Sequence, residues 1–319
     1  MHASPIRIAV IGTGKAAREL HVPAISASRE FHLVAAVAQG TPLQSVPNFG
    51  SITEMMETLP GIQAVSVCTP PHSRLEIIAA ALDHGLDILI EKPPATTVSE
   101  ACAIADWATR AGRVLYTSWH SRQAAGVEPA KAWLAPRNIR RVTIVWREDV
   151  RIWHPNQPWI WESGIGVFDP GINALSIVTH ILREPLLLKD AELYFPENKS
   201  APVSAHLVFV DGAGVPVSAV FDFDNRGPEI WDIDFETDQG VLKLSSGASR
   251  MAVNGEPVAV SSESEYVSLY KRFARLIKER RSDVDLTPFF QVADAFMIGR
   301  RTTVSPFQVD ADPDSSKSC

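Results

Sequence analysis

The sequence predicts an α/β chain of two domains: an N-terminal parallel sheet wound with helices, then a second α/β domain around a mostly antiparallel sheet. Three observations carry this. Up to about residue 120, short apolar runs alternate with helical patterns, the rhythm of βαβ units. Beyond it, extended segments follow one another with turn residues between them. The chain has 319 residues, 45% hydrophobic and 21% charged, enough to build two cores. The boundaries expected are 1–120, 121–309 and a polar tail at 310–319 too hydrophilic to order itself.

Taken in order, residues 6–11 read as a buried strand. Residues 15–27 form a helix with Leu20, Ala24 and Ala27 on one stripe. Strands follow at 33–38, 64–68, 87–90 and 114–117, with helices at 51–59 and 75–84, the latter closed by Gly85. Thr97 and Glu100 form a capping box for a helix reaching Arg110. In the second part, helices are expected at 129–134 and 172–182. Extended segments are expected at 141–148, 186–195, 203–210, 215–222, 231–236 and 241–244, and two helices, 265–280 and 287–300, finish the fold.

The net charge of −7, with both signs interspersed, lacks the basic face that nucleic acid requires. The three cysteines (Cys68, Cys102, Cys319) fit no metal-ligand spacing and suggest a reducing compartment. The first apolar run is too short for a signal peptide, and no segment approaches the about 20 apolar residues of a membrane span. A cytoplasmic chain with no metal and no membrane or nucleic-acid partner is expected.

Gly12-Thr13-Gly14-Lys15-Ala16-Ala17 follows the first strand and opens the first helix. The first glycine permits the tight turn, the second lets a pyrophosphate approach the backbone, and Ala17 allows close helix–strand packing. The helix N-terminus then faces the phosphates with its N–H groups. A simple strand-to-helix turn is the alternative; the alternating context favours dinucleotide binding. At the end of the second strand, Ala38-Gln39-Gly40-Thr41 offers neither a carboxylate for a ribose 2′-hydroxyl nor an arginine for a 2′-phosphate. Gln39 can hydrogen-bond a ribose hydroxyl, which favours NAD and leaves NADP use open.

Glu91-Lys92-Pro93-Pro94 ends a parallel strand on the side where open α/β sheets bind ligands. Lys92 there would neutralise charge developing on a reacting oxygen, or it is merely an exposed strand-end lysine. Cys68, Thr69 and Pro70 end the neighbouring strand and read as cofactor wall. In Asp169-Pro170-Gly171-Ile172-Asn173, Asp169 is either a helix N-cap or, with Asn173 one turn on, part of a polar face turned into a cleft. His180 on that face reads as a core histidine. Six of the eight tryptophans fall between residues 119 and 161, among Glu148, His154 and His120. Indoles flanked by such groups suit a sugar's apolar faces and hydroxyl ring, or pack a core or subunit interface.

With these residues in view, the chain resembles the Gfo/Idh/MocA oxidoreductases over nearly its whole length. The marks are the Gly12/Gly14/Ala17 turn, Glu91-Lys92-Pro93 and Asp169–Asn173. More specific are Trp146-Arg147-Glu148-Asp149-Val150, Trp153-His154-Pro155, Trp159-Ile160-Trp161, the run from Gly166 to Thr179, and Ser282-Asp283-Val284-Asp285. These resemble the bacterial D-galactose and L-arabinose 1-dehydrogenase subgroup.

The resemblance implies a Rossmann doubly wound sheet, then an α/β domain whose open antiparallel sheet supports substrate binding and homo-oligomer contacts. It implies NAD(P)-dependent oxidation of an aldose at C1 to a lactone. Lys92 and Asp169 would be catalytic, either one taking the proton. Glu148, His154, Asn173 and His120 would hold hydroxyls, with Trp153 and Trp231 against the ring. Gly12, Thr13, Gly14, Lys15, Ala16, Gln39, Cys68, Thr69, Pro70, Glu91 and Lys92 would form the cofactor site. Asn173 departs from the wider family's histidine and cannot act as a base, though the subgroup shares it. Alternatives are an inositol or other polyol dehydrogenase on the same scaffold, or a non-catalytic sugar-responsive regulator.

Overall fold

The computed structural model describes residues 4–308; the expected polar tail at 310–319, with Cys319, lies outside the described residues. β1 (Ile6–Ile11), β2 (Phe31–Val37), β3 (Asn48–Phe49), β4 (Ala64–Val67), β5 (Asp87–Glu91) and β6 (Leu115–Ser118) form a sheet in the order β3-β2-β1-β4-β5-β6. Every pairing in it is parallel. The order reverses between β1 and β4, which opens a crevice at the carboxyl ends of the strands. Strands buried on both faces explain the unbroken apolar runs: Ile8 and Val10 join one core cluster, Ala9 and Ile11 the other.

The first helix departs from its predicted stripe. It contains one π-helical turn, Ala17–His21, before α1 (Val22–Ser26). The extra residue in that turn rotates the face, so Ala17, His21, Ala24 and Ile25 are buried, while Leu20 and Ala27 are exposed. α2 (Ile52–Thr58), α3 (Arg74–Asp83) and α4 (Val98–Arg110) follow expectation, and the Thr97–Glu100 capping box is formed in both directions.

The second sheet draws on β7 (Ile139–Arg147), β8 (Leu186–Pro196), β9 (Ser204–Asp211), β10 (Pro216–Asp222), β11 (Ile230–Thr237), β12 (Gly240–Ser245), β13 (Arg250–Val253), β14 (Glu256–Val258) and β15 (Arg300–Val304). Its order is β14-β13-β12-β11-β7-β10-β9-β8-β15. Only β7 with β10 and β8 with β15 run parallel. One face packs on α5 (Val127–Leu134) and α7 (Phe168–Ile181); the other is open, with Val208 and Leu187 each 48% exposed.

β13, β14 and the short helix α6 (Val150–Trp153) were not expected from the sequence. α7 starts at Phe168, not Ile172, so Asp169 lies inside the first turn and is not its N-cap. α9 (Thr287–Ile298) stops two residues early, and Arg300 begins β15. α8 (Glu265–Glu279), expected to belong to the second domain, packs Tyr266, Leu269, Tyr270 and Phe273 onto the parallel sheet beside Ile8, Val10 and Tyr116.

Candidate active site

A cavity of about 690 Å³ opens at the switch point, between the glycine turn and the second sheet. Its floor follows from local sequence. Gly12 has φ +88°, and a Cβ there would meet Thr69 Cγ2 at 2.8 Å, so only glycine closes the turn this tightly against β4. Gly14 faces open space on the cavity rim. Thr13 lies beneath, its Oγ1 donating 2.7 Å to Thr41 O. Lys15 and Ala16 line the rim, and Lys15 Nζ reaches across to donate to Trp153 O at 3.2 Å.

Cys68, Thr69 and Pro70 form the adjoining wall, with Thr69 Oγ1 buried and unpartnered. Gln39 is exposed at the end of β2, outside the cavity lining.

Glu91, expected among cofactor ligands, has its carboxylate turned inward. Oε1 accepts from Tyr266 Oη (2.8 Å) and meets His21 Nε2 at 2.9 Å, while Oε2 accepts from Lys92 N (2.9 Å). His21, fully buried by the π-helical turn, contacts Tyr270 Oη through Nδ1 at 2.8 Å, and Tyr270 contacts Ser66 Oγ at 2.7 Å. Burial would raise the Glu91 carboxyl; His21 above all, with His120 and Lys92, outweighs it and holds Glu91 well below the usual carboxylate range. Arg74 clamps the same corner from behind: Nε donates to Thr69 O at 2.8 Å and Nη1 to the carbonyls of Glu91 and Pro93. Lys92 therefore leaves a rigid strand end.

Lys92 and Asp169 meet. Nζ donates to Asp169 Oδ1 (3.0 Å) and to Asp169 O (2.9 Å), leaving one of its three N–H groups for the cavity. Asp169 Oδ2 lies 3.2 Å from His154 Nε2. Burial would raise the Asp169 carboxyl, but Lys92 and then His154 hold it well below the usual range.

Glu148, just past β7, is only 4% exposed. Burial, and then the negative charge of Asp169, push its carboxyl up to about 7, against His154 and Lys92. Two carboxyls in one cavity thus have opposite proton affinities, a pattern typical of acid–base sites.

His120, Asn173, Trp153 and Trp231 also line the cavity. His120 Nδ1 is 2.6 Å from Glu265 Oε2, and its ring stacks on Tyr266. Trp231 has one face covered by Trp146 at 5.7 Å, and Trp153 donates to Glu229 Oε1 at 2.6 Å.

The tryptophan cluster splits. Trp146, Trp153 and Trp159 reach the cavity; Trp119 is buried on Asp285 O, Trp133 lies under Arg137, and Trp161 packs on Phe307. His180 is not in the core: it is half-buried, 2.6 Å from Glu128. His21, Arg74, Tyr266 and Gln157 carry no local motif, and sequence reasoning missed them. A polar histidine on the apolar face of the first helix was the one available signal.

The cavity fits a nicotinamide dinucleotide and a small polyhydroxy ligand. The open backbone at Gly14 and the orphaned Thr69 hydroxyl suit the former. The indole N–H of Trp146, buried without an acceptor among the described residues, suits the latter. A dinucleotide turn opening onto a buried cation–carboxylate pair is the arrangement of a two-domain nicotinamide-dependent oxidoreductase.

A family model for oxidoreductases with an NAD-binding Rossmann fold, Gfo/Idh/MocA, matches residues 6–118. Galactose 1-dehydrogenase from Pseudomonas fluorescens is 42% identical over 95% of this chain and 99% of its own length. The crystal structure of a D-galactose-1-dehydrogenase protein from Rhizobium etli superposes with TM-score 0.93 at 46% identity, covering 97% of this chain and 99% of the other. The chain belongs to the Gfo/Idh/MocA oxidoreductase family. A 3-ketoreductase from Actinomadura kijaniata, crystallised with NADP, shares the fold at TM-score 0.82 and 17% identity, covering 94% of this chain and 99% of the other. Among the described residues no helix is long and apolar enough to cross a membrane.

Proposed function

We propose that this chain oxidises C1 of D-galactose, and of L-arabinose, to the aldonolactone. The observation that carries the reading is the Lys92–Asp169–His154 array lining a cavity beside the glycine turn; the galactose 1-dehydrogenase relative supports the sugar. A nicotinamide dinucleotide, when bound, would supply the hydride acceptor; Gly12, Thr13, Gly14, Lys15, Ala16, Cys68, Thr69 and Pro70 would hold it, with Gln39 near the ribose.

The remaining N–H of Lys92 binds the anomeric oxygen and stabilises charge gathering on it. Asp169 takes the hydroxyl proton. Its carboxyl is too acidic to deprotonate a resting hydroxyl. As C1 loses hydride, however, the oxygen becomes that of a protonated carbonyl, a stronger acid than any carboxyl, and the transfer runs downhill. His154 shares the other carboxylate oxygen and keeps Asp169 oriented. Glu148, Asn173 and His120 hold ring hydroxyls, with Trp153 and Trp231 against the ring. Galactose and arabinose share the ring hydroxyl configuration and differ by a hydroxymethyl group, so a pocket reading the hydroxyls takes both. The open face of the second sheet is the proposed homo-oligomer contact.

Initial rates at 340 nm with galactose, arabinose, xylose, glucose and inositol, each with NAD and NADP, test the reading. Galactose and arabinose should lead. Turnover of inositol with none of the aldoses overturns it.

A further inference from the structure

Arg18, one residue beyond the glycine turn's small-residue position, is fastened in an unusual way. Its Nε donates to Thr13 O at 2.8 Å, and Nη2 donates to Thr41 O and to Pro42 O at 3.2 Å. These bonds use the Nε hydrogen and both Nη2 hydrogens. Nη1 has no hydrogen-bond partner and Arg18 no ion pair among the described residues. Its hydrogen-bond partners are all neutral carbonyls, so no carboxylate offsets the guanidinium, and it bridges the glycine turn to the loop leaving β2.

That loop is where the second strand of a doubly wound sheet meets the adenosine ribose. The strand end offers Ala38, Gln39 and Gly40, with no carboxylate to bind a 2′-hydroxyl or repel a phosphate. The expected arginine is absent from the strand but arrives from the helix.

We propose that Arg18 reads the ribose 2′ position, its Nη1 binding a 2′-phosphate, so that the chain takes NADP as well as NAD. The inference rests on the dinucleotide reading of the glycine turn. Two N–H groups on a pre-oriented guanidinium form charge-assisted bonds to a phosphate at little entropic cost. A 2′-hydroxyl gains much less from them.

NADPH and NADH differ only in that phosphate, so titrating the full chain with each, read by quenching of tryptophan fluorescence, isolates the effect. Arg18→Met should weaken NADPH binding about tenfold or more and leave NADH within about twofold. Arg18→Lys, which keeps the charge and loses the fork, should fall between. Gln39→Glu, which leaves the Arg18 clamp in place, should weaken NADPH alone. Equal weakening of both dinucleotides in folded Arg18→Met would show a mere loop clamp and overturn the proposal, as would unchanged NADPH affinity. Wild-type chain that binds neither dinucleotide sinks the cofactor reading itself.

Discussion

Asp169 is held low by Lys92 and His154, while Glu148 is pushed up to about 7 a few side chains away. On the proposed mechanism, that lowered affinity lets Asp169 take a proton only as hydride departs. Lys92→Met and Asp169→Asn should each lower kcat by about 10²–10⁴, with NADH binding by fluorescence nearly unchanged; wild-type turnover in either would remove both from the chemistry. Ionised Glu148 accepts hydroxyl hydrogen bonds on both oxygens and more strongly than the protonated acid, so kcat/KM should rise through about pH 7, and Glu148→Gln should flatten that limb. Its stability effect has the opposite sign. The folded carboxyl binds its proton more tightly than the unfolded one, so stability is lost as pH climbs from the ordinary carboxyl range to about 7. Above pH 7 a folded Glu148→Gln should therefore melt higher than wild type, whereas an equal or lower melting point would contradict the burial argument.

Elements decide where those side chains point. α7 delivers Asp169 and Asn173 because it lies directly on β10. Gly171 makes that approach possible, since a Cβ there would sit 2.6 Å from Phe221 Cδ2. Gly171→Ala should cost about 1–3 kcal/mol by overpacking and push α7 off the sheet, raising KM for sugar more than for NAD. Thermal melts with steady-state kinetics check both halves; an unperturbed KM would detach helix seating from the site. The π-helical turn Ala17–His21 plays the same part for Lys92, driving His21 inward onto Glu91, whose other oxygen holds the Lys92 N–H. Removing one partner of such a buried pair costs about 3–5 kcal/mol, so the pairing strongly favours the arrangement that holds the Lys92 N–H.

At the scale of the molecule, one sheet supplies the cofactor turn and Lys92, the other domain supplies Asp169, Glu148 and His154, and the cavity exists only where they face each other. α8 crosses back to cover the first sheet and contributes Tyr266 to the Glu91 cluster. Separate expression of residues 1–120 would therefore leave Ile8, Val10 and Tyr116 uncovered. The open face of the nine-stranded sheet, centred on Val208, should bury itself in a second copy. Light scattering after size exclusion should give a dimer or larger assembly, and Val208→Glu should reduce its mass. A monomeric wild-type mass would leave that face without its proposed role.

The alternation of apolar runs and helices, the glycine turn and the lysine at a strand end were all legible in the sequence. Backbone periodicity and turn chemistry are local, so a linear reading captures them. Lys92 and Asp169, 77 positions apart, were nameable as candidates, but their 3.0 Å contact was not. The sequence could not reveal that Glu91 faces inward, that His21 is its partner, or that Arg18 of the first helix ties the glycine turn to the loop after β2. Nor could it sort the tryptophans, of which Trp119, Trp133 and Trp161 pack elsewhere. Each of those depends on a helix rotated by one extra residue, or on elements distant in sequence packing together. Only the tertiary structure decides such contacts, because burial and pairing energies act between surfaces that the order of residues does not bring side by side.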